Sequence, residues 1–561
     1  MKLSAVVGLF NHFNLDNLRG DILGGLTAAI VSLPIALAFG VASGAGAEAG
    51  LYGAILVGLF AAAFGGTPTL ISEPTGPMTV IMTAVLTTMM AANPEQGLAM
   101  SFTVVMIAGL FQILMGMLKL GKYITLMPYS VISGFMSGIG IILILLQIAP
   151  FLGQASPPGG VAQTLFQLPG LIYNIKPQET LLGLLTLGIL FFTPKGWGRF
   201  VPAQLIALIL GTLIALTLFA DANIRKIGEI SLGLPSIHWP TFTHNQLTTM
   251  ILNGMVLGTL GCIDSLLTSV IADRLTRHEH KSDRELVGQG VGNVISGFFG
   301  GLPGAGATMG TIVNIESGAK SALSGVVRAL ALLVIVLGAA PLTQPIPLAV
   351  LAGIALKVGV NILDWSFVKR AHKVSGHAAL IMYGVMLLTV FVDLIVAVGL
   401  GIFIANILTI EQLSTLQKSN VRAISDADND IALTDEEKQL LDNASGRVLL
   451  VYLSGPMIFG VSQAIDRQHS NIQQYQSVVL DLSDVPLIDT TVSLTIENTI
   501  RDAVNSMRRV FIVKPRDQAQ KSLERLGVFE LIPGTQLFED RTEALRKAIT
   551  ELDSTHLQQT A

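Results

Sequence analysis

Long, nearly uninterrupted apolar segments fill the chain up to about residue 410, and they constrain its fold more than any other feature. A helix that crosses a bilayer needs about 20 mostly apolar residues. Long candidates occupy residues 22–42, 100–118, 131–149, 179–193, 201–219, 250–272, 322–340, 376–391 and 393–410. Shorter segments, several of them broken by Gly or Pro, occupy residues 50–65, 75–92, 286–300, 307–318 and 347–361. Together they predict an all-α polytopic membrane domain over residues 1–410, with about fourteen crossings or half-crossings.

The positions of Lys and Arg predict the orientation of this domain. If the N-terminus is cytoplasmic, most basic residues of the loops face the cytoplasm, as the positive-inside rule requires. They are Arg19, Lys119, Lys122, Lys195, Arg199, those of residues 274–284, Lys369, Arg370 and Lys373, whereas Lys176, Arg225 and Lys226 fall outside. We therefore predict a multi-pass protein of the plasma (inner) membrane with both termini cytoplasmic and an uncleaved first helix.

Composition and motifs argue against several function classes. Only 13% of the residues are charged, against about 25% in soluble chains, and the net charge of -4 gives no basic footprint for nucleic acid. The sequence has no nucleophile paired with a base, no Walker loop and no zinc pattern. The glycine-rich run at 288–292 has no strand before it, so it fits helix packing rather than nucleotide binding. We expect neither an enzyme nor a cofactor.

Two short stretches rich in Gly and Pro occupy corresponding places in the two halves of the membrane domain. They span residues 65–77 and 300–308, and each precedes a short apolar helix. Irregular backbone at membrane depth is tolerated where protein buries it or where it lines a wet cavity. Paired broken helices predict an ion site near the midplane, where positive helix N-termini face an anion. The alternative is two surface loops.

Asp264 is the most informative single residue, because it lies inside the apolar run 250–272. An ionised carboxylate at a helix centre costs about 2.5–3.5 kcal/mol on insertion scales, so something must compensate it. A bound cation such as Na⁺, a proton, or an ion pair with another helix would each serve. Thr268 shares a helix face with Asp264. The hydroxyl of Thr308 and the carbonyls of Gly306 or Ala307 could add further oxygen ligands, and hard cations prefer oxygen ligands.

The candidate anion ligands are Thr75, Gly76 and the amides that follow Pro303. A helix N-terminus offers unpaired N–H donors, and Gly allows close approach by a small oxyanion. The alternative for Thr75 is ordinary capping of its helix. Glu73 stands beside this helix start, where we expect it to face the cytoplasm.

The tail of the chain differs in composition from the membrane domain. Residues 411–446 are polar and predict a linker, in which residues 434–437 form a capping-box helix start. Buried strands are predicted at 447–453, 477–482 and 509–513, with helices near 490–507, 515–526 and 541–552. Strands that alternate with helices predict a small cytoplasmic α/β domain over residues 447–555.

Several of these motifs resemble the sulfate permease family. They are residues 34–40 (Pro-Ile-Ala-Leu-Ala-Phe-Gly), 68–77, 303–314 and 480–490, the last of which is similar to the sulfate transporter and anti-sigma antagonist (STAS) domain. The resemblance covers the whole chain. It implies two inverted seven-helix repeats, core and gate subdomains, a homodimer and elevator-like movement of the core.

The resemblance also implies site residues. Asp264, Thr268 and Thr308 would hold Na⁺ with backbone oxygens of Gly306 and Ala307. Phe39, Thr75, Gly76, Ala307 and Thr308 would border the anion, which the resemblance implies is bicarbonate. In the tail, Thr490 takes the position of a phosphorylatable residue, so cytoplasmic regulators of unknown identity are implied; the alternative is that this segment only caps its helix.

The chain departs from the family at two positions. Many members carry Arg where this chain has Gly310, in the tenth membrane segment of the family. Many also carry Gln after the proline of the first helix, where this chain has Ile35. Without that fixed cation, a Na⁺ ion beside Asp264 can compensate the anion, which favours symport and a small, singly charged oxyanion. We therefore predict a sodium-dependent bicarbonate importer in the lipid bilayer. The alternatives are a proton-coupled sulfate or dicarboxylate importer and a membrane sensor or scaffold.

Overall fold

A computed structural model describes residues 11, 13, 15–124, 128–157, 160–194, 202–228, 235–392, 394–418, 420–425, 433–458, 460–472 and 474–559. Lys195 and Arg199, two of the residues that predict the orientation, lie outside these ranges. The chain divides into two compact units, Met1–Phe403 and Ile404–Ala561.

The first unit is built from apolar helices whose bounds follow the predicted segments closely. The helices are α1 (Leu18–Ser43), α2 (Ala47–Phe64), α3 (Gly76–Ala92), α4 (Gly97–Met117), α5 (Gly121–Ile124), α6 (Tyr129–Phe151), α7 (Gly160–Tyr173), α8 (Pro177–Phe192), α9 (Ala203–Thr217), α10 (Leu247–Thr276), α11 (Ser282–Phe298), α12 (Thr308–Glu316), α13 (Leu323–Ala339), α14 (Leu348–Ile362), α15 (Trp365–Val368), α16 (Ala371–Val374), α17 (Gly376–Phe391) and α18 (Leu394–Lys418), the last of which runs on into the second unit.

Within the described ranges, six helices are long and apolar enough to cross a membrane, or seven if α7 and α8, bent by 113°, count as one span. Shorter apolar helices, among them α3 and α9, accompany them. The number of about fourteen crossings stays a prediction.

The glycine-rich run in α11 packs against a neighbouring helix, as predicted. A Cβ at Gly290 would lie 2.5 Å from the carbonyl oxygen of Gly109 on α4, and a Cβ at Gly109 would lie 2.5 Å from the carbonyl oxygen of Gly290. A side chain on either residue would therefore force the two backbones apart. This close contact brings α11 alongside α4 and so fixes one wall of the helix bundle.

The second unit contains a five-stranded sheet with helices on both faces. Its elements are β3 (Val421–Ile424), α19 (Asp435–Asn443), β4 (Val448–Ser454), α20 (Ser462–Ile472), β5 (Ser477–Asp484), α21 (Thr490–Asn505), β6 (Arg509–Val513), α22 (Asp517–Arg525), β7 (Leu537–Phe538) and α23 (Arg541–Gln559). The strand order is β3-β4-β5-β6-β7, with β3 antiparallel and the other pairs parallel.

The strands β4 to β6 are buried on both faces, which explains their continuous apolar sequence. Alternate residues pack against two separate cores: Leu449, Val451 and Leu453 point to one face, and Val448 and Leu450 to the other. The predicted strands and helices of this domain are present, and the capping box at Thr434 is confirmed. The strand β3 lies within the stretch predicted as a linker, so the sheet begins before residue 447.

Candidate functional site

The two stretches rich in Gly and Pro, residues 65–77 and 300–308, meet inside the first unit. Each contributes a two-residue strand, β1 (Ser72–Glu73) and β2 (Ala305–Gly306), and the two pair antiparallel with Ser72 opposite Gly306. The amide of Ala307 extends the pairing by donating to the carbonyl of Ile71 at 2.8 Å. All residues from 70 to 77 and from 300 to 307 are buried, so the alternative of two surface loops is wrong.

The pairing places two helix starts side by side. Two residues after the end of β1, Thr75 precedes α3, and directly after β2, Ala307 precedes α12. The first N–H groups of a helix have no partner within the helix, and they carry a partial positive charge. The site therefore presents backbone donors from both halves of the membrane domain to one small region, where an anion can accept from them.

The Asp264 carboxylate lies at these helix starts. It is 8% exposed, and its Oδ2 accepts a hydrogen bond of 2.7 Å from the hydroxyl of Thr75. The alternative role of Thr75 as a side-chain cap of α3 is not observed, because its hydroxyl makes no cap bond. Among the described residues, no Lys or Arg forms an ion pair with Asp264. A cation or a proton therefore remains as its compensation.

A cluster of oxygen atoms lies one helical turn further along α10. The hydroxyl of Thr268 donates to the carbonyl oxygen of Gly306 at 2.9 Å and lies 3.1 Å from the hydroxyl oxygen of Thr308. A Cβ at Gly306 would lie 3.1 Å from both the Thr268 Cβ and the Ser265 Cα, so glycine permits the close approach of β2 to α10. Oxygen atoms from a carboxylate, two hydroxyls and a carbonyl are the ligands that hard cations take.

Ser265, a residue without a distinctive sequence pattern, belongs to the same neighbourhood. Its hydroxyl accepts from the amide of Gly306 at 3.0 Å and so fixes β2 on α10. In the described ranges, no group of three or more His, Cys, Asp or Glu residues is arranged for a metal ion.

The remaining predicted anion residues lie around the same helix starts. Phe39 is buried on α1, which packs against both α3 and α12. Gly76 is the first residue of α3, and Ala307 is buried whereas Thr308 is exposed. The structure thus joins Asp264 to Thr75 and Thr268 to Gly306 and Thr308 by hydrogen bonds, and it places Phe39 and Gly76 on the elements that surround them.

The expected cytoplasmic exposure of Glu73 is wrong. This residue is buried at 3% exposure, and its carboxylate forms an ion pair with Arg328 of α13. Arg328 was not singled out, although a lone cation in the predicted span 322–340 is the same kind of signal as Asp264.

A third buried carboxylate, that of Glu285, holds the stretch 65–77 in place. Glu285 of α11 accepts from the amides of Gly66 and Thr67, each at 2.8 Å. Gln289, one turn on, donates to Glu285 at 2.8 Å and to the Ser72 hydroxyl at 2.6 Å. The polar face of α11 therefore supplies the hydrogen bonds that the irregular backbone before β1 needs at this depth.

In the second unit, Thr490 is the exposed first residue of α21. The side chain of Asp489 caps this helix, because its Oδ1 accepts from the amide of Val492 at 2.8 Å. Helix capping by this segment is therefore confirmed for Asp489, whereas phosphorylation of Thr490 stays a prediction.

The chain is similar to transporters over almost its full length. The sulfate permease family model matches residues 18–385, and the STAS domain model matches residues 441–544. The bicarbonate transporter BicA of Synechocystis sp. (strain ATCC 27184 / PCC 6803 / Kazusa) is 62% identical over 542 residues, which are 97% of this chain and 96% of that protein.

Two solved structures extend the comparison. The transmembrane domain of a cyanobacterium bicarbonate transporter BicA is 65% identical, covers 69% of this chain and 99% of its own, and superposes with a TM-score of 0.66. The murine solute carrier 26 family member A9 anion transporter, in the inward-facing state, covers 98% of this chain and 95% of its own with a TM-score of 0.83. Since that pair is only 19% identical, it shows a common fold alone.

Proposed function

The chain belongs to the sulfate permease family, and from this membership we propose that it is a transporter that imports bicarbonate together with Na⁺ across the plasma (inner) membrane. Family members of this kind are multi-pass membrane proteins, and the named relatives are transporters, so we propose transport without a chemical step.

One observation carries the proposal for the ion site. The hydroxyl of Thr75, at the start of one half-helix, is hydrogen-bonded to Asp264, and the oxygens of Thr268, Gly306 and Thr308 follow one turn away. We assign Na⁺ to Asp264, Thr268 and Thr308, with backbone oxygens of Gly306 and Ala307. The anion then lies toward Phe39, Thr75, Gly76, Ala307 and Thr308.

The coupling follows from charge. A carboxylate beside the helix starts repels an anion, and a bound Na⁺ removes this repulsion. The anion in turn strengthens Na⁺ binding by the same factor, because linkage between two binding sites is reciprocal. Each ion therefore binds better when the other is present. A symporter uses this property, because both ions must occupy the site before it moves.

The choice of bicarbonate rests on the relatives and on charge. Two proteins at 60–62% identity over nearly the full chain are named bicarbonate transporter BicA. Position 310 is a glycine, so α12 supplies no fixed cation for a dianion. One Na⁺ beside one carboxylate suits a singly charged oxyanion.

We further propose that movement of a core past a gate, within a homodimer of two inverted seven-helix repeats, carries the loaded site across the bilayer. The β1–β2 pairing supports this view, because it connects the starts of α3 and α12, so that the two helix starts can move as one rigid unit. We also propose that cytoplasmic regulators act on the C-terminal domain through Thr490.

The test is uptake of labelled bicarbonate into proteoliposomes at fixed pH, with an inward Na⁺ gradient against a matched choline gradient. We expect uptake that depends on Na⁺. Uptake that is indifferent to Na⁺, or that is seen only with sulfate or a proton gradient, would instead favour the proton-coupled alternative.

A further inference from the structure

The membrane unit contains a buried cation outside the residues assigned to the ion site. Arg328 of α13 is 0% exposed. Its Nη1 donates to the carbonyl of Ala54 at 2.7 Å and to that of Ser72 at 2.9 Å, its Nε donates to the Ser32 hydroxyl at 3.2 Å, and its Nη2 donates to Glu73. One guanidinium thus connects α1, α2 and the strand β1.

The charge on this residue requires a partner. Removing one member of a buried ion pair leaves an uncompensated charge, which is strongly destabilising. Glu73 is that partner, so the pair contributes no net charge to the region. Asp264, which has no basic partner within the described ranges, then supplies the uncompensated charge at the helix starts.

The pair lies close to the proposed ion site. Glu73 is opposite Ala305 in the β1–β2 pairing, next to Gly306. A Cβ at Gly310 would lie 3.5 Å from Glu73 Oε1, so the absence of a side chain at position 310 leaves this carboxylate facing α12. Thr75, the partner of Asp264, is only two residues from Glu73, which is at most about 7 Å of chain.

We propose that Glu73 and Arg328 are positioning residues that set the charge of the ion site, a role that rests on the proposed sodium-coupled transport. With the pair intact, Asp264 is the charged carboxylate that contacts the helix starts, and one Na⁺ balances it. Without the Arg328 charge, Glu73 becomes a second carboxylate that attracts cations and repels the anion. Without the Glu73 charge, Arg328 becomes a free cation with the opposite effects.

Charge variants test this directly. We would compare Glu73→Gln, Arg328→Gln and the double variant in proteoliposomes, measuring the half-saturating concentrations of Na⁺ and bicarbonate. A unit charge about 10 Å away at an effective dielectric constant of about 20 changes binding on the order of tenfold. We expect Glu73→Gln to raise the half-saturating concentration of Na⁺ about tenfold and to lower that of bicarbonate. Arg328→Gln should shift both concentrations in the opposite directions. In the double variant, both should return toward the wild-type values.

Glu179 and Arg225 provide a matched control, because they form another ion pair of this unit, at 3.1 Å, between α8 and the segment that follows α9. Glu179→Gln and Arg225→Gln should leave the balance between Na⁺ and bicarbonate affinity unchanged. If Arg328→Gln fails to fold, Glu73→Gln and the double variant suffice.

A merely structural role predicts losses in the same direction for both single variants, with or without recovery in the double variant, and that result would overturn the proposal. A wild-type protein that takes up bicarbonate without Na⁺ would overturn only the sodium coupling. In that case the opposite shifts in half-saturating bicarbonate concentration would still decide the role of the pair.

Discussion

The hydroxyl of Thr268 offers the sharpest test of the cation site. It is fully buried, donates to the Gly306 carbonyl at 2.9 Å and lies 3.1 Å from the Thr308 hydroxyl oxygen. Thr268→Val keeps the shape of the side chain and removes this oxygen. The variant therefore separates the chemistry of the hydroxyl from the packing around it.

The magnitude follows from the bonds that are lost. A hydrogen-bonding group that acts on a charge contributes about 1.5–3 kcal/mol, and the Gly306 carbonyl also loses its donor. Since about 1.4 kcal/mol corresponds to a factor of ten, we expect the half-saturating Na⁺ concentration for bicarbonate uptake to rise roughly 10- to 150-fold. Thr268→Ser, which keeps the hydroxyl, should stay close to wild type.

Thr259 supplies the matched control on the same helix, because its hydroxyl donates to the Met255 carbonyl one turn back. Thr259→Val should leave the Na⁺ dependence unchanged. If Thr268→Val folds and transports with wild-type Na⁺ dependence, the assignment of this hydroxyl to a cation site is refuted.

Three further predictions concern other parts of the protein. Asp264→Asn should abolish Na⁺-stimulated uptake, and normal transport with unchanged Na⁺ dependence would contradict the cation role. Gly290→Ala should lower the thermal unfolding temperature in detergent, because its Cβ would meet a backbone carbonyl at 2.5 Å and overpacking costs about 1–3 kcal/mol. Gly188→Ala is the control, because nothing lies within 4 Å of a Cβ there, and it should leave the temperature unchanged. Equal effects of the two variants would exclude the close contact as the cause. Asp489→Ala should destabilise α21 by about 1 kcal/mol, seen as faster amide hydrogen exchange, with unchanged exchange arguing against the cap.

The sequence predicts the apolar helices and the strands of the tail well, because long apolar runs leave few other structures available. The strands β4, β5 and β6 lie within one or two residues of their predicted bounds. The strand β3 was not predicted, because its four residues include Arg422 and give no apolar run. Its place is set by pairing with β4, which is a tertiary property.

In the ion site too, local features are predictable from the sequence, whereas tertiary contacts are not. Asp264 stands out in the sequence because a carboxylate in a membrane segment demands compensation, whereas the partner it finds, Thr75, is 189 residues away. Two-residue strands carry no periodicity, so the pairing of Ser72 with Gly306 could not be predicted from alternation. The exposure expected for Glu73 was wrong because nothing within its own segment points to Arg328, 255 residues further along.

The antiparallel pairing of β1 with β2 has a consequence for how such a site can be changed. Its hydrogen bonds run between backbone atoms, so they do not depend on which side chains occupy positions 75, 307 and 308. Side chains at the helix starts can therefore be replaced while the frame that aligns the two half-helices is retained. A protein engineer who wishes to redirect the site to another small anion should vary positions 75, 307 and 308 and leave the strands untouched.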